Sequence, residues 1–366
     1  MTWLAILAAF ALTAWREAAP GHAWAFPRDH HAHPEFRHEW WYVTGQLSVD
    51  GASEPTHGFQ FTLFRIGLLA ERPPWDSSWT ARDLVLGHAA VTDLRGGGHR
   101  FSEVLTRTGP GLGGFPAVGD SVLAWCRAPA GTAGRWEIRT TPEGFAIAAV
   151  DSAQGLAFAL GLAPERPLVF HGPGGFSVKD PTSQAGSLYY SVTRLAATGT
   201  LDGRVVAGRA WLDREIFTSQ LAARHVGWDW LSLQLADGRD VMVFSLRGRD
   251  GAGDVTRATV VEPSGAVSWL EPGAPVLTAL ERWRGYPVKW RLSLPEAGIE
   301  LVLAALVEDQ ENVGPHTGLR YWEGAVAGPG CRGYAELTGY AGAEASGLRS
   351  LRKIADELSS PTGRSP

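Results

Sequence analysis

AGRAWLDREIFTSQLAARHVGWDWLSLQ, residues 207–234, packs three tryptophans (Trp211, Trp228, Trp230), three acids (Asp213, Glu215, Asp229) and a histidine (His225) into two β-like runs joined by a short polar connection. Read as a strand, residues 211–218 alternate. Trp211, Asp213, Glu215 and Phe217 share one face, and Leu212, Arg214, Ile216 and Thr218 the other. Two carboxylates then stand roughly 6.5 to 7 Å apart at Cα, two residues of strand rise, close enough for each to raise the other's proton affinity and for an acid/base pair to work. The alternative is that both are salt-bridged to a neighbouring Arg or lie on a solvated face. Trp228 and Trp230 also share a face, on a run that continues as Leu231, Leu233 and Leu235 to a turn at 236–239. Such a pair either packs a core, because each ring buries a large apolar area, or lines a pocket, where the N–H and the π face grip a long apolar ligand or steady a cation.

The same grammar covers the chain on both sides of this stretch. Upstream lie a run at 39–49 with an Asp50-Gly51 turn behind it, then Phe59, Phe61 and Leu63 alternating with Gln60, Thr62 and Phe64, then 84–94. Short apolar or alternating runs follow at 121–127, 135–140, 144–150, 156–162, 187–196 and 205–211. Downstream they recur at 228–235, 240–246, 256–261, 266–269, 277–283, 288–294, 299–307, 318–328 and 334–340. Turns rich in Gly, Pro, Asp or Thr close each run, and no amphipathic helix pattern alternates with them, which excludes a βαβ architecture. The expected fold is all-β and antiparallel, a sandwich or a barrel, and barrel closure would remove edges and leave an interior for ligand. Two strand strings of similar length predict two related β domains with their seam near the opening stretch. Leu348, Leu351, Ile354 and Leu358 alone have helical spacing and predict a short C-terminal helix capping the second barrel.

Composition agrees. Glycine makes up 45 of 366 residues, well above the usual ~7%, and 23 prolines are spread along the chain, as many short strands with turns require. The length favours two domains. With 19% charged residues and a net charge of −5, no basic stripe marks a nucleic-acid binder, so the expected partner is small and uncharged, or another protein. Residues 2–14 form an apolar run too short to span a bilayer and suited to the core of a signal peptide, and Ala23-Trp24-Ala25 supplies a small-x-small cleavage site before Phe26. This predicts a leader over 1–25 and a periplasmic or secreted protein. Cys126 and Cys331 are expected as buried thiols more than as a disulfide.

Three histidines within four positions (His30, His31, His33) invite a metal, but their spacing matches no usual zinc pattern, so the expectation is polar turn contacts, with no metal and no cofactor. His171-Gly172-Pro173-Gly174-Gly175 lacks the Lys-Ser/Thr ending of a phosphate loop, and no Gly-x-Ser-x-Gly elbow occurs. Glu308, Asp309 and Glu311 form an acidic spot that a solvated loop explains as well as function does.

Several stretches together carry a family resemblance: Pro27-Arg28-Asp29-His30 through His38-Glu39-Trp40-Trp41-Tyr42-Val43-Thr44-Gly45, Phe170-His171-Gly172-Pro173-Gly174-Gly175-Phe176-Ser177, Tyr189-Tyr190-Ser191, Trp211-Leu212-Asp213-Arg214-Glu215 and Gly227-Trp228-Asp229-Trp230, then Tyr321-Trp322-Glu323-Gly324-Ala325-Val326 and Gly333-Tyr334-Ala335-Glu336-Leu337-Thr338-Gly339-Tyr340. From about residue 27 to 345 the chain resembles the AttH-like, CrtC-type lipocalin family, which includes carotenoid 1,2-hydratases and proteins labelled predicted secreted hydrolases. The resemblance implies two lipocalin-like β-barrel domains. It also implies, from AttH-like members, an accessory role beside an ABC-type transporter. In the hydratase branch the stretch matching residues 213–216 reads Asp-His-Asn-Trp, with the His and Trp counted as catalytic. Here those positions hold Arg214 and Ile216. Arginine is no acid at neutral pH, so the implied carotenoid activity is in doubt, while Asp213 is retained and Glu215 could substitute as acid.

The expected division is a leader over 1–25, domains over 26–213 and 214–347, and a helix and tail over 348–366. The expected ligand-binding residues are Trp40, Trp41, Trp211, His225, Trp228, Trp230, Tyr321 and Trp322, with Asp213 and Glu215 as catalytic candidates. Two functions compete. One is an exported binder of an apolar lipid or isoprenoid that works with an ABC-type transporter. The other is a hydratase-like lyase or a hydrolase using the two acids.

Overall fold

A computed structural model gives the structure of the chain and describes residues 15–71, 77–183, 185–219, 221–249, 253–271 and 276–340. Strand β1 (His38–Val49) sets the plan, because both of its faces are covered. Its odd positions Trp41, Val43, Leu47 and Val49 enter one apolar core, while Tyr42 belongs to another. After β1 come β2 (His57–Gly67), β3 (Asp83–Asp93), β4 (His99–Arg107), β5 (Gly113–Gly114), β6 (Val122–Arg127), β7 (Arg135–Thr141), β8 (Gly144–Asp151), β9 (Leu156–Pro164), β10 (Val169–Phe170), β11 (Phe176–Asp180), β12 (Ala185–Leu201) and β13 (Arg204–Phe217). They form one antiparallel sheet in the order β4-β3-β2-β1-β13-β12-β9-β8-β7-β6-β5, with β10 and β11 also on β12.

That order is a meander whose last long strand returns to pair with the first, as in a lipocalin-like barrel. The ladder is interrupted between β4 and β5, where side chains take over from hydrogen bonds. A Cβ on Gly113 would lie 3.2 Å from Val85 and 3.3 Å from Thr106, and the Trp136 ring lies across the interior on Gly87, where a Cβ would come within 2.9 Å of it.

The second sheet contains β14 (Gly227–Leu235), β15 (Asp240–Arg247), β16 (Gly253–Val261), β17 (Val267–Leu270), β18 (Val276–Trp283), β19 (Tyr286–Leu294), β20 (Ile299–Ala305), β21 (Glu311–Val313), β22 (Arg320–Gly328) and β23 (Cys331–Thr338). Its order, β17-β16-β15-β14-β23-β22-β20-β19-β18 with β21 on β22, repeats the plan, since β14 pairs with the last strand β23. Leu231, Leu233 and Leu235 point into its own core. Among the described residues the only helical turns are three short 3₁₀ segments, Arg28–His30, Pro173–Gly175 and Pro295–Ala297. The C-terminal helix expected over 348–358 lies outside the described residues. Cys126 and Cys331 are buried free thiols.

Two details differ from expectation. A division at 213/214 would cut β13, where Arg214 and Glu215 still pair with Trp41 and Trp40. The chain leaves the first sheet after Phe217, because Ile216 and Phe217 are still buried and polar Thr218 and Ser219 come only then. Residues 15–25, inside the stretch expected as a leader, lie on the first sheet: the Trp15 ring covers Gly67, Arg16 N donates to Glu35 O at 2.9 Å, and Glu17 accepts from the Ser219 N–H (3.1 Å) and hydroxyl (2.9 Å).

The halves dock through the faces of β1, β12 and β13 on one side and β14, β22 and β23 on the other. Gln46 of β1 donates its amide to Val326 O (3.0 Å) and Gly333 O (2.8 Å). Gln234 of β14 does the same in reverse, to Thr193 O (2.8 Å) and Ala210 O (3.1 Å). Each first strand thus clamps the last strands of the other half. Between the clamps lies a third core that includes Tyr42, Tyr189, Trp211, Trp230, Phe244 and Tyr334.

Candidate functional site

Alternation on β13 places Trp211, Asp213 and Glu215 on one face, as the sequence predicts, and that face turns toward the second half, while Leu212 enters the first core. Asp213 is opposite Tyr42 of β1 and Ser191 of β12. Its carboxylate accepts from Trp211 Nε1 at 2.5 Å and from the Ser191 and Tyr189 hydroxyls. Tyr189 Oη in turn accepts from Trp230 Nε1 at 3.1 Å. Behind Ser191 sits His171, with Nε2 at 2.6 Å from Ser191 Oγ and Nδ1 at 2.9 Å from Thr259 Oγ1. Burial, together with nearby Lys179, holds this imidazole neutral. Since Ser191 donates to Asp213, it accepts from the His171 Nε2–H, and Thr259 donates to Nδ1. Three donors would lower the proton affinity of Asp213, yet burial outweighs them, and the carboxyl is pushed up to about 7.

Asp213 opens into a cavity of about 40 Å³ walled by Trp40, Tyr42, Tyr189, Trp228, Trp230 and Phe244. Glu215 lines it too, but is held by Lys179 Nζ at 2.9 Å and the Ser187 hydroxyl at 2.5 Å. Lys179 lies 3.8 Å from the centre of the Phe244 ring. The two acids therefore differ. Asp213 is balanced between charged and neutral forms near neutrality, while Glu215 is committed to an ion pair.

A second cavity of about 50 Å³ shares Trp40, Tyr42, Trp228 and Glu336 with the first and is lined further by His88, Tyr321 and Glu323. Glu323 and Glu336 are cross-strand neighbours on β22 and β23. Burial, then their mutual repulsion, drives Glu323 well above the usual carboxylate range; Glu336 is pushed up to about 8, first by burial and further by the charges of Glu215 and Asp213. At the far end of the seam an open groove of about 790 Å³ runs past Trp211, Tyr334, Gln46 and Gln234.

Of the expected ligand residues, Trp40, Trp228, Trp230 and Tyr321 line these cavities, and Trp211 stands between the groove and Asp213. Trp41, Trp322 and His225 lie elsewhere. Trp41 and Trp322 each adjoin a cavity residue on the same strand, and neighbours on a strand face opposite ways. Trp41 stacks on Phe115 in the first core, and Trp322 packs by Trp290 in the second. His225 is buried in the β13–β14 connection with Nε2 at 2.6 Å from Asp254. Arg214 and Ile216, where the hydratase branch has its His and Trp, also point away from Asp213. Arg214 lies over the Trp41 ring at 3.9 Å and is ion-paired with buried Glu39, and Ile216 packs with Phe36 and Leu188.

The sequence reading missed Glu323, Glu336, Lys179, Tyr189 and His171 as site residues. A signal for the glutamates was present: each is an acid in the middle of a run that is otherwise apolar or aromatic (Tyr-Trp-Glu-Gly-Ala-Val and Tyr-Ala-Glu-Leu-Thr).

The three histidines of the N-terminal segment do not converge. His30 Nδ1 meets Tyr190 Oη at 2.7 Å, His31 faces Pro116 O and His33 Nε2 meets Asp29 at 3.1 Å. His22, Asp29 and His33 do bring ligand atoms within 4.8 Å of one another. Both Asp29 oxygens, however, already accept from Arg28, at 2.7 and 2.9 Å, and one also from Ala25 N at 2.6 Å, so the group is an ion-pair knot that fastens the N-terminal strap.

The profile of the AttH-like family matches residues 17–340. Among solved structures, an AttH protein of Nitrosomonas europaea is 31% identical, with a TM-score of 0.76, and the match covers 89% of this chain and 99% of that one. Kievitone hydratase of Nectria haematococca shares the fold at 14% identity and a TM-score of 0.58, covering 87% of this chain and 93% of that one. No curated protein sequence matches the chain.

Proposed function

The chain belongs to the AttH-like family, and from that premise we propose that it binds a small hydrophobic molecule at the seam between its two β domains and transfers a proton to it through Asp213. One observation carries this reading: a buried carboxyl, oriented by Tyr189, Ser191 and Trp211 and held at about 7, opens into an aromatic cavity. A general acid works best when its pKa lies near the operating pH. The π faces of Trp40, Trp228 and Trp230 suit an apolar substrate and the positive charge that protonating a double bond creates. This favours lyase- or isomerase-type chemistry on an unsaturated ligand. Glu215, paired with Lys179, fixes the floor of the site.

The seam groove supports a second reading, a carrier of an apolar ligand delivered to or from an ABC-type transporter by an exported protein. The cavity of about 40 Å³ beside Asp213 and the groove of about 790 Å³ share no lining residue, and it is the groove that has the room for a carried lipid or isoprenoid. Asp213→Asn separates the two. With farnesol as a linear isoprenoid probe, binding is followed by tryptophan quenching and products by mass spectrometry. The catalytic reading expects retained quenching and a loss of turnover of about 100-fold or more in the variant. Binding without chemical change by either protein would leave only the carrier.

A further inference from the structure

Asp213 faces a cavity on one side and a chain of buried polar groups on the other. His171, Ser191 and Thr259 are buried, and none of them lines the two cavities or the groove. His171 follows β10, whose Val169 and Phe170 pair with Ser191 and Tyr190 of β12. Its backbone N–H donates to Tyr189 O at 3.0 Å, and its ring lies 4.1 Å from the Tyr189 ring, centre to centre. So held, the imidazole meets a hydroxyl at each nitrogen: Ser191 of the first half at Nε2 and Thr259 of the second at Nδ1.

The direction of these bonds depends on the charge of Asp213. With Asp213 ionised, the Ser191 hydroxyl donates to Oδ1, the His171 Nε2–H donates to Ser191 and the Thr259 hydroxyl donates to Nδ1. A neutral Asp213 is itself a donor and, being buried, requires an acceptor. Trp211 Nε1 is a donor only. Tyr189 Oη already accepts from Trp230, and among the described residues Asp213 is the one acceptor that its own proton meets. Ser191 differs, because turning its hydroxyl toward His171 Nε2 opens a lone pair to the Asp213 proton. That turn requires Nε2 to be bare, so the imidazole proton sits on Nδ1 and Thr259 accepts it. Neutral Asp213 thus goes with one tautomer of His171, and ionised Asp213 with the other. Both tautomers are uncharged, in keeping with the burial of the ring and the nearby charge of Lys179.

We propose that Ser191, His171 and Thr259 form a proton relay that reloads Asp213 from the rim of the seam beside β17, on the side away from the ligand. The inference rests on the reading of Asp213 as a proton donor, and His171 acts through Asp213 without touching ligand. Once Asp213 has given up its proton, an apolar ligand in the cavity keeps water from the buried carboxylate, and the relay supplies the proton from behind. Thr259 gives its hydroxyl proton to Nδ1 as Nε2 gives its own to Ser191 Oγ, and the Ser191 proton moves to Asp213 Oδ1. Each group in the chain makes one bond to hydrogen as it breaks another. Solvent then reprotonates Thr259, so the net change is one proton moved from solvent to Asp213. Thr259 is directly opposite Trp269 of β17, which is exposed and fixed by its Nε1 on Phe170 O at 2.9 Å, so the outer end of the relay is one side chain from solvent. The charged or titratable groups around the chain are Lys179 of β11 with Glu215 of β13, Glu336 across the cavity, and Arg257, which shares the face of Thr259 on β16.

The tautomer of His171 tests this in the full chain, by nitrogen-15 NMR of protein labelled in its imidazole rings, where a ring N–H and a bare ring nitrogen give separate signals. The His171 signals are those lost in His171→Gln or, if that variant does not fold, those displaced by Ser191→Ala. With Asp213 held at about 7, the ring should carry its proton on Nδ1 at pH ~5.5 and on Nε2 at pH ~8.5, the favoured form exceeding the other about 30-fold at either pH. In Asp213→Asn one tautomer should persist at both pH values. A single tautomer at both pH values in the wild type, an imidazolium at pH ~5.5, or a swap that survives in Asp213→Asn overturns the relay. Thr259→Val keeps the shape of the side chain and removes the entry hydroxyl; it should slow turnover of farnesol by about tenfold or more while quenching by farnesol stays within about twofold. Unchanged turnover in the folded variant also overturns the proposal. If the wild type binds farnesol without turning it over, the failure belongs to the reading of Asp213, and the tautomer swap still decides the relay.

Discussion

Replacing Asp213 with Asn keeps the shape of the side chain and removes its titration, which allows the cost of the buried carboxyl to be measured. In the folded protein the group is held at about 7, against ~3.9 in an unfolded chain. The folded state therefore keeps a proton that the unfolded state releases. Stability is greatest below the unfolded value and is lost as pH rises between about 4 and 7. By linkage the penalty is about 1.5 kcal/mol at pH ~5 and about 4.2 kcal/mol at pH ~8. Asn escapes it but offers Tyr189 an amide in place of an acceptor oxygen, a pH-independent loss of about 1 kcal/mol. The gap between variant and wild type should thus move by about 2.6 kcal/mol in the variant's favour from pH ~5 to pH ~8. Comparing the two proteins cancels the titration of Glu323 and leaves of Glu336 only the part that the Asp213 charge contributes, the smallest of its causes after burial and Glu215. Urea unfolding followed by circular dichroism at the two pH values measures the gap, and a difference constant to within ~0.5 kcal/mol would show that Asp213 is not held protonated by burial.

Further outcomes follow from the same geometry. Trp41→Ala should destabilise the fold by about 3–5 kcal/mol, since the ring is core, whereas Trp228→Ala should chiefly weaken farnesol binding, by about tenfold or ~1.4 kcal/mol; the reverse pattern in unfolding and quenching assays would misassign the two faces. If the chain is exported, its mature N-terminus should lie upstream of Trp15, not at Phe26. Intact mass from the native host reads this directly, and a chain beginning at Phe26 should melt below one beginning at Trp15, because it lacks the contacts of Trp15, Arg16 and Glu17 with Gly67, Glu35 and Ser219. Equal melting temperatures would refute that placement.

The amino-acid sequence by itself determined the strand grammar, the absence of βαβ units and the sharing of a face by Trp211, Asp213 and Glu215. Backbone geometry alone turns successive side chains to opposite sides of a strand. It could not say which side was which. On β1 both parities are apolar, so Trp40 and Trp41 look alike until a second sheet covers one of them, and the same holds for Tyr321 and Trp322. Nor could alternation tell two neighbouring acids apart. Asp213 and Glu215 are equivalent by spacing, but Lys179 reaches Glu215 from β11 while Tyr189 and Ser191 reach Asp213 from β12. Glu323 and Glu336 acquire their raised proton affinities only when β22 and β23 bring them together beneath the first sheet. Periodicity is local, whereas burial, dielectric and the choice of charge partner arise from contacts with other strands and with the other half, and only the docked tertiary structure decides those.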